Sequence, residues 1–163
     1  MYDSQPLGDE QDLSGFSSGN ADLDRWLVEF ARTAEAKRVS RSFVWTERGE
    51  VVAYYTISAH LLQRDALPAR LGRGNPSQIP AVLLGRLALD QRLHGRRHGG
   101  ELLADALARI LDATDTVAAR FVVVDAIDDH AVGFYRHHGF QPIPDTMRLV
   151  QKMSDIAAAV QRR

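Results

Sequence analysis

The stretch Arg92-Leu93-His94-Gly95-Arg96-Arg97-His98-Gly99-Gly100 concentrates cationic side chains and glycines between two apolar segments, Leu84 to Leu89 and Leu102 to Ile110. An apolar strand, a short basic turn and a helix in that order direct free backbone N–H groups at an anion. The first helical turn has donors without intrahelical partners and carries the positive end of the dipole. A phosphate-bearing ligand is the expected occupant. The turn is not a nucleotide P-loop, since the Gly-Lys-Ser/Thr ending is absent, and Gly95 and Gly99 do not fit the Gly-x-Gly-x-x-Gly dinucleotide fingerprint. His94 and His98 have metal-ligand spacing, but Gly95 breaks the helix that would align them and no third ligand stands nearby, so no metal is expected. His137 and His138 read as a helix C-terminal pair favoured by the dipole. A Ser-His-Asp hydrolase has no support without a nucleophile elbow.

The elements around this turn follow from periodicity. Asn20 is placed to cap a helix in which Leu23, Trp26, Leu27 and Phe30 recur on one face, with Asp22 and Asp24 near its positive end. Arg41 to Trp45 and Val51 to Ala59 predict two antiparallel strands joined by the hairpin turn Glu47-Arg48-Gly49-Glu50. Gln63 to Pro80, with three prolines, two glycines and several arginines, predicts a loop with one helical turn near Ala66 to Leu71. Its length points to function rather than simple connection. Ala81 to Leu89 and Phe121 to Ile127 are apolar enough for buried strands, and Gly99 to Asp112 is an amphipathic helix between them. Asp128 or Asp129 caps a short helix carrying Ala131, Phe134, Tyr135 and His138, which Gly139 ends. Phe140 to Ile143 and Arg148 to Met153 predict a closing strand pair, and Ser154 to Arg163 an appended helix or a loose tail. The class is mixed α/β, with an antiparallel front half and a βαβ unit behind it.

With 163 residues, 45% of them hydrophobic, the chain suits a single domain, 1–163, with its core at about 7–153. A net charge of -1 provides no global field for nucleic acid or membrane. Attraction to polyanions must be local, and Arg86 to Gly100 carries four arginines and two histidines against one aspartate. The absence of cysteine excludes disulfides, a thiolate nucleophile and thiolate-ligated zinc. No targeting or membrane-spanning segment is evident, so a cytoplasmic location is expected.

The basic turn resembles the acyl-CoA pyrophosphate loop of the GNAT superfamily of N-acetyltransferases, whose pattern is Gln/Arg-x-x-Gly-x-Gly/Ala. Arg92-x-x-Gly95 fits, while Arg97 stands where the family has Gly or Ala. More narrowly, the chain resembles the toxins of type II toxin–antitoxin pairs that acetylate aminoacyl-tRNA. Phe16-Ser17-Ser18-Gly19 with Leu23-Asp24-Arg25-Trp26-Leu27, Val51-Val52-Ala53-Tyr54-Tyr55, Leu84-Gly85-Arg86-Leu87-Ala88 and Phe134-Tyr135-Arg136-x-x-Gly139-Phe140 carry that likeness. Ser18 and Ala53 depart from the pattern.

This resemblance implies the GNAT acyl-CoA N-acyltransferase fold, a splayed and mostly antiparallel sheet flanked by helices, with acetyl-CoA as acetyl donor. It places the cofactor on Leu87, Ala88, Leu89, Arg92, Gly95, Arg96, Arg97, His98, Gly99, Gly100 and Phe134. Tyr135 takes the role of general acid, since a phenol with a pKa near 10 stays protonated at neutral pH and can protonate a departing thiolate. Glu29, Asp90, Asp125 and Asp128 are conceivable bases, but each reads better as a solvated or capping carboxylate. No base is assigned. An α-amino group is substantially neutral near pH 7 without one.

For tRNA, Arg86, Arg92, Arg96, Arg97, Lys37 and Arg38 are the candidate phosphate contacts, with Arg41 beside the last two. The resemblance further implies a homodimer and a ribbon-helix-helix antitoxin, with operator DNA bound only through the antitoxin complex. Two alternatives stay open: an N-acetyltransferase for a small amine or protein N-terminus, and a catalytically silent acyl-CoA- or antitoxin-binding module.

Overall fold

In a computed structural model the structure describes residues 2–162, so the expectations on Met1 and Arg163 lie outside the described residues. The elements are β1 (Gln5–Pro6), α1 (Ala21–Glu29), α2 (Ala31–Ala36), β2 (Arg41–Glu47), β3 (Glu50–Gln63), α3 (Ala69–Gly72), β4 (Gln78–Leu89), α4 (His98–Ala113), β5 (Phe121–Asp125), α5 (Asp129–His137), β6 (Gln141–Pro142), β7 (Arg148–Lys152) and α6 (Met153–Gln161). They divide into two compact units. The first holds the residues up to Ser58 together with Leu84–Ala106; the second holds Ala59–Leu83 and the residues from Leu107 onward.

In the first unit the strand order is β1, β2, β3 and the end of β4. The hairpin between β2 and β3 turns at Arg48 and Gly49, both with positive φ (53° and 81°), as a turn matched to the strand twist requires. Asn20 accepts from the Leu23 N–H at 3.0 Å, so α1 starts where its cap predicts. Leu27 is buried, and Leu23 and Trp26 pack on a core of Leu7, Phe16, Val44, Val51, Tyr54 and Ala88. Phe30 departs from the expected apolar face: it caps the C-terminal end of α1, where the chain turns into α2, and is exposed.

The second unit has the order β3, β4, β5, β7, β6, with β3 and β4 contributing the rest of their lengths. β5 and β7 pair antiparallel from Phe121↔Lys152 to Asp125↔Arg148, and β7 pairs antiparallel with the short β6. Phe121, Val123, Ile143, Val150, Leu62, Leu67, Leu71 and Ile79 form its core. β5 stops at Asp125, leaving Ile127 outside the sheet and exposed. The expected loop 63–80 is corrected at both ends, because β3 continues to Gln63 and β4 begins at Gln78. β4 alternates buried with open positions rather than being buried throughout, and the tail from Met153 is the helix α6. Among the described residues no helix is long and apolar enough to cross a membrane.

Candidate active site

The loop joining β4 to α4 is pinned by Asp90. Its nearly buried carboxylate accepts from the Ser17 N–H at 3.1 Å, the Arg92 N–H at 3.1 Å and the Arg92 Nε at 3.1 Å. Burial alone would raise its pKa, but the hydrogen bonds from Arg92 and Ser17 hold it below the usual carboxylate range. Glu50 takes a second Arg92 nitrogen at 3.2 Å, and these two carboxylates push the Arg92 guanidinium up. Asp90 is thus a structural cap. Arg92 is spent on shaping the turn: its backbone N–H and guanidinium both serve Asp90.

Beyond it, Gly95 (φ 80°) and Arg97 (φ 64°) are left-handed. An L-residue adopts that backbone at a cost of about 1–2 kcal/mol, so Arg97 keeps the turn geometry that Gly would adopt freely. Open space surrounds the position a Gly95 Cβ would occupy. Arg96 and Arg97 are exposed, and His98, Gly99 and Gly100 form the first turn of the 16-residue α4. Their N–H groups belong to the set without intrahelical acceptors. His94 and His98 are not an aligned ligand pair: His94 Nε2–H donates to the Leu89 carbonyl at 2.9 Å, while His98 meets the rings of Tyr2 and Trp45 and lies 3.5 Å from Glu101. The Leu89 carbonyl is therefore occupied. Leu87 and Leu89 are half-buried and Ala88 is buried in the core.

The remaining basic candidates divide. Arg86 lies 3.7 Å over the Trp26 ring, which stacks on Tyr54, and desolvation lowers its pKa. Its charge is committed to a cation–π contact. Lys37 and Arg38 are exposed at the end of α2, and Arg41 pairs with Glu35 at 3.0 Å.

Tyr135 is in the second unit, on α5. Asp128 caps this helix by accepting from the Ala131 N–H at 2.8 Å, and Gly139 (φ 95°) ends it. The Tyr135 ring is buried edge-on between Phe134 (5.3 Å) and Phe140 (5.5 Å), and burial pushes the phenol up to about 12. The phenol is therefore protonated at neutral pH. Of the conceivable bases, Glu29 is exposed, Asp128 is the cap, and Asp125 is held by Arg148 through two bonds of 2.8 and 2.9 Å. Arg148 Nη1 also donates to His60 Nε2 at 2.9 Å. These partners lie 88 residues apart, so no local motif signals the network.

The fold and this basic strand–turn–helix define a GNAT-type N-acetyltransferase. No family model matches the chain. The tRNA-acetylating toxin of Mycobacterium tuberculosis (strain ATCC 25618 / H37Rv) is 35% identical over 155 residues, covering 94% of this chain and 93% of the relative. The chain belongs to the family of tRNA-acetylating toxins. Among solved structures, AtaT complexed with acetyl-methionyl-tRNAfMet matches with a TM-score of 0.89 and 27% identity, covering 98% of this chain and 99% of that one. A tyrosine-to-phenylalanine variant of AtaT, bound to the C-terminus of the antitoxin AtaR and to acetyl-CoA, matches with a TM-score of 0.86 and 25% identity over 99% of each chain.

Proposed function

We propose that the protein transfers the acetyl group of acetyl-CoA to the amino group of an aminoacyl-tRNA, blocking translation as the toxin of a type II toxin–antitoxin pair. The observation that carries this is the relationship to a tRNA-acetylating toxin at 35% identity across 94% of the chain. Acetyl-CoA supplies a thioester that an unprotonated amine attacks and whose thiolate leaves. The turn suits its phosphates: Gly95 and Arg97 hold left-handed backbone, the start of α4 offers unpaired N–H groups, and Arg96 and Arg97 are exposed beside it. In this reading Arg92 shapes that cradle through Asp90 and Glu50. Arg96, Arg97, Lys37 and Arg38 are the cations that reach phosphate.

Tyr135 is the general acid. Its phenol, desolvated to a pKa of about 12, is fully protonated at neutral pH and gives its proton to the departing sulfur. The proton released by the amine restores it through solvent. Further expectations attach to this reading: a single domain over 1–163, a cytoplasmic location, a homodimer, a ribbon-helix-helix antitoxin, and operator DNA engaged through that complex. The test is transfer of label from acetyl-CoA to charged tRNA. Tyr135→Phe is expected to lower kcat about 10²–10⁴-fold with acetyl-CoA affinity retained. No transfer by the parent protein to any aminoacyl-tRNA overturns the substrate, and a Tyr135→Phe protein with parental kcat overturns the acid.

A further inference from the structure

The connection from β3 to β4 is a built element whose composition the proposed reaction leaves unused. Its ends meet where the Arg64 N–H donates to the Ser77 carbonyl at 2.9 Å, making a closed loop of the kind that often carries function. Leu67 and Leu71 anchor it by inserting into the core of the second unit. Asn75 Nδ2 donates to the carbonyls of Leu71 (3.1 Å) and Gly72 (3.3 Å), satisfying the end of α3.

Gly72 lies at a close approach that a larger residue would crowd. A Cβ at this position would stand 3.1 Å from Arg64 Cγ and 3.2 Å from the Arg64 carbonyl oxygen. The stem of Arg64 therefore lies across Gly72, and its Nη1 donates to the Asn75 carbonyl at 2.8 Å. One guanidinium is thus held in place before any ligand arrives. Arg70 and Arg73 project from the same loop, and Arg70 donates to the Gln141 side chain. All three arginines are exposed, and among the described residues none has a carboxylate within ion-pair distance. By contrast Arg25, Arg41 and Arg148 each have one, and Arg92 has two.

Arg64 and Arg73 open on a cleft of about 430 Å³ lined by Arg64, Asp65, Leu67, Ala69, Gly72 and Arg73, while Arg70, next to Ala69 in the chain, lies outside that lining. That volume is in the range of small-ligand sites. Arginine forks match phosphate oxygens. Asp65, in the same cleft, is an acceptor that repels a bare phosphate but takes a hydrogen bond from a ribose 2′-hydroxyl or an exocyclic base amine. Cationic forks and one acceptor in a single cleft select a nucleotide of an RNA chain over a free anion or an acidic peptide.

We propose that the loop Arg64–Ser77 is an RNA-docking element, in which Arg64, Arg70 and Arg73 hold backbone phosphates and Asp65 reads a hydroxyl or amino group of the intervening nucleotide. This rests on the reading of aminoacyl-tRNA as substrate and adds a second contact surface, remote in sequence from the acyl-CoA turn.

The test uses the full chain with uncharged tRNA as probe, comparing the parent with an Arg70→Ala, Arg73→Ala double variant that leaves the internally anchored Arg64 in place. Binding is expected to weaken about tenfold, and the slope of log affinity against log salt to fall by about 2, one for each phosphate contact. The melting temperature and acetyl-CoA affinity should hold, and with charged tRNA the loss should appear in KM rather than kcat. Unchanged tRNA affinity and salt slope overturn the proposal, as does poly-glutamate displacing tRNA from the parent but not from the double variant. If the arginines govern tRNA binding but no acetyl group is transferred, the docking element stands and the catalytic reading falls. If transfer proceeds and the variant matches the parent in KM and salt slope, the reverse holds.

Discussion

Two strand ends carry an aspartate clamped by an arginine, and they differ in what completes the clamp. At the end of β4, Asp90 has a side chain only 8% exposed, accepts two backbone N–H groups as well as Arg92, and shares that arginine with Glu50. At the end of β5, Asp125 is 51% exposed, binds Arg148 alone, and shares it with His60. A carboxylate as third partner adds a second charge pair; a histidine adds a group that titrates near neutrality. The first clamp has no partner that titrates near neutrality, whereas in the second the bond from Arg148 to His60 holds only while His60 is neutral, because Nε2 accepts it through its lone pair; the two bonds to Asp125 do not depend on it.

Breaking the buried clamp should have the largest effect. Asp90→Ala strands the Ser17 and Arg92 N–H groups and should cost about 2–3 kcal/mol, read as a lower urea midpoint with weakened acetyl-CoA binding. A variant as stable as the parent would show that the cap contributes nothing. Asp125→Asn keeps the shape of the exposed clamp and removes its charge, so the expected loss is roughly 0.5–1 kcal/mol, measured the same way. A loss equal to that of Asp90→Ala would erase the distinction between the two ends.

The smallest effect concerns pH. Burial, reinforced by Arg148 and opposed by Asp125, lowers the His60 pKa from 6.5. Below pH 6.5 the unfolded chain binds a proton that the folded chain resists, so stability falls with pH until folded His60 is itself protonated. His60→Gln, which retains an acceptor, should flatten the stability profile below pH 6.5. Asp90 behaves differently: its lowered pKa contributes stability that is full above 3.8 and disappears as pH falls through the lowered value. Acid should therefore release the His60–Arg148 bond before it reaches Asp90, and an unaltered slope in His60→Gln would remove histidine from the account.

What the sequence made legible was local chemistry. The Asn20 and Asp128 caps, the Arg48-Gly49 turn and the Gly139 terminator each depend on neighbours within a few residues. The two-residue β1 and the extension of β3 to Gln63 come from pairing with distant strands, which short-range periodicity does not encode. At the site, the Phe134 to Phe140 pattern singled out Tyr135, while its buried environment emerged only with the packing of Phe140. The commitments of Arg86 to Trp26, 60 positions away, and of Arg92 to Glu50, 42 positions away, were equally invisible. Sequence neighbourhood alone presents both as candidate phosphate contacts and shows neither partner.

The contacts of Trp26 with Tyr54 and Arg86 have a spectroscopic consequence. The chain contains two tryptophans, Trp26 and Trp45, and both belong to the first unit, as do Tyr2, Tyr54 and Tyr55. Indole emission therefore reports on that unit alone, and Tyr135 is the sole tyrosine chromophore of the other. An emission melt overlaid on a far-ultraviolet circular dichroism melt is a direct gauge of whether the two units unfold as one cooperative block. Substituting Arg86 would alter the baseline of that signal by removing the guanidinium that lies 3.7 Å over the Trp26 ring.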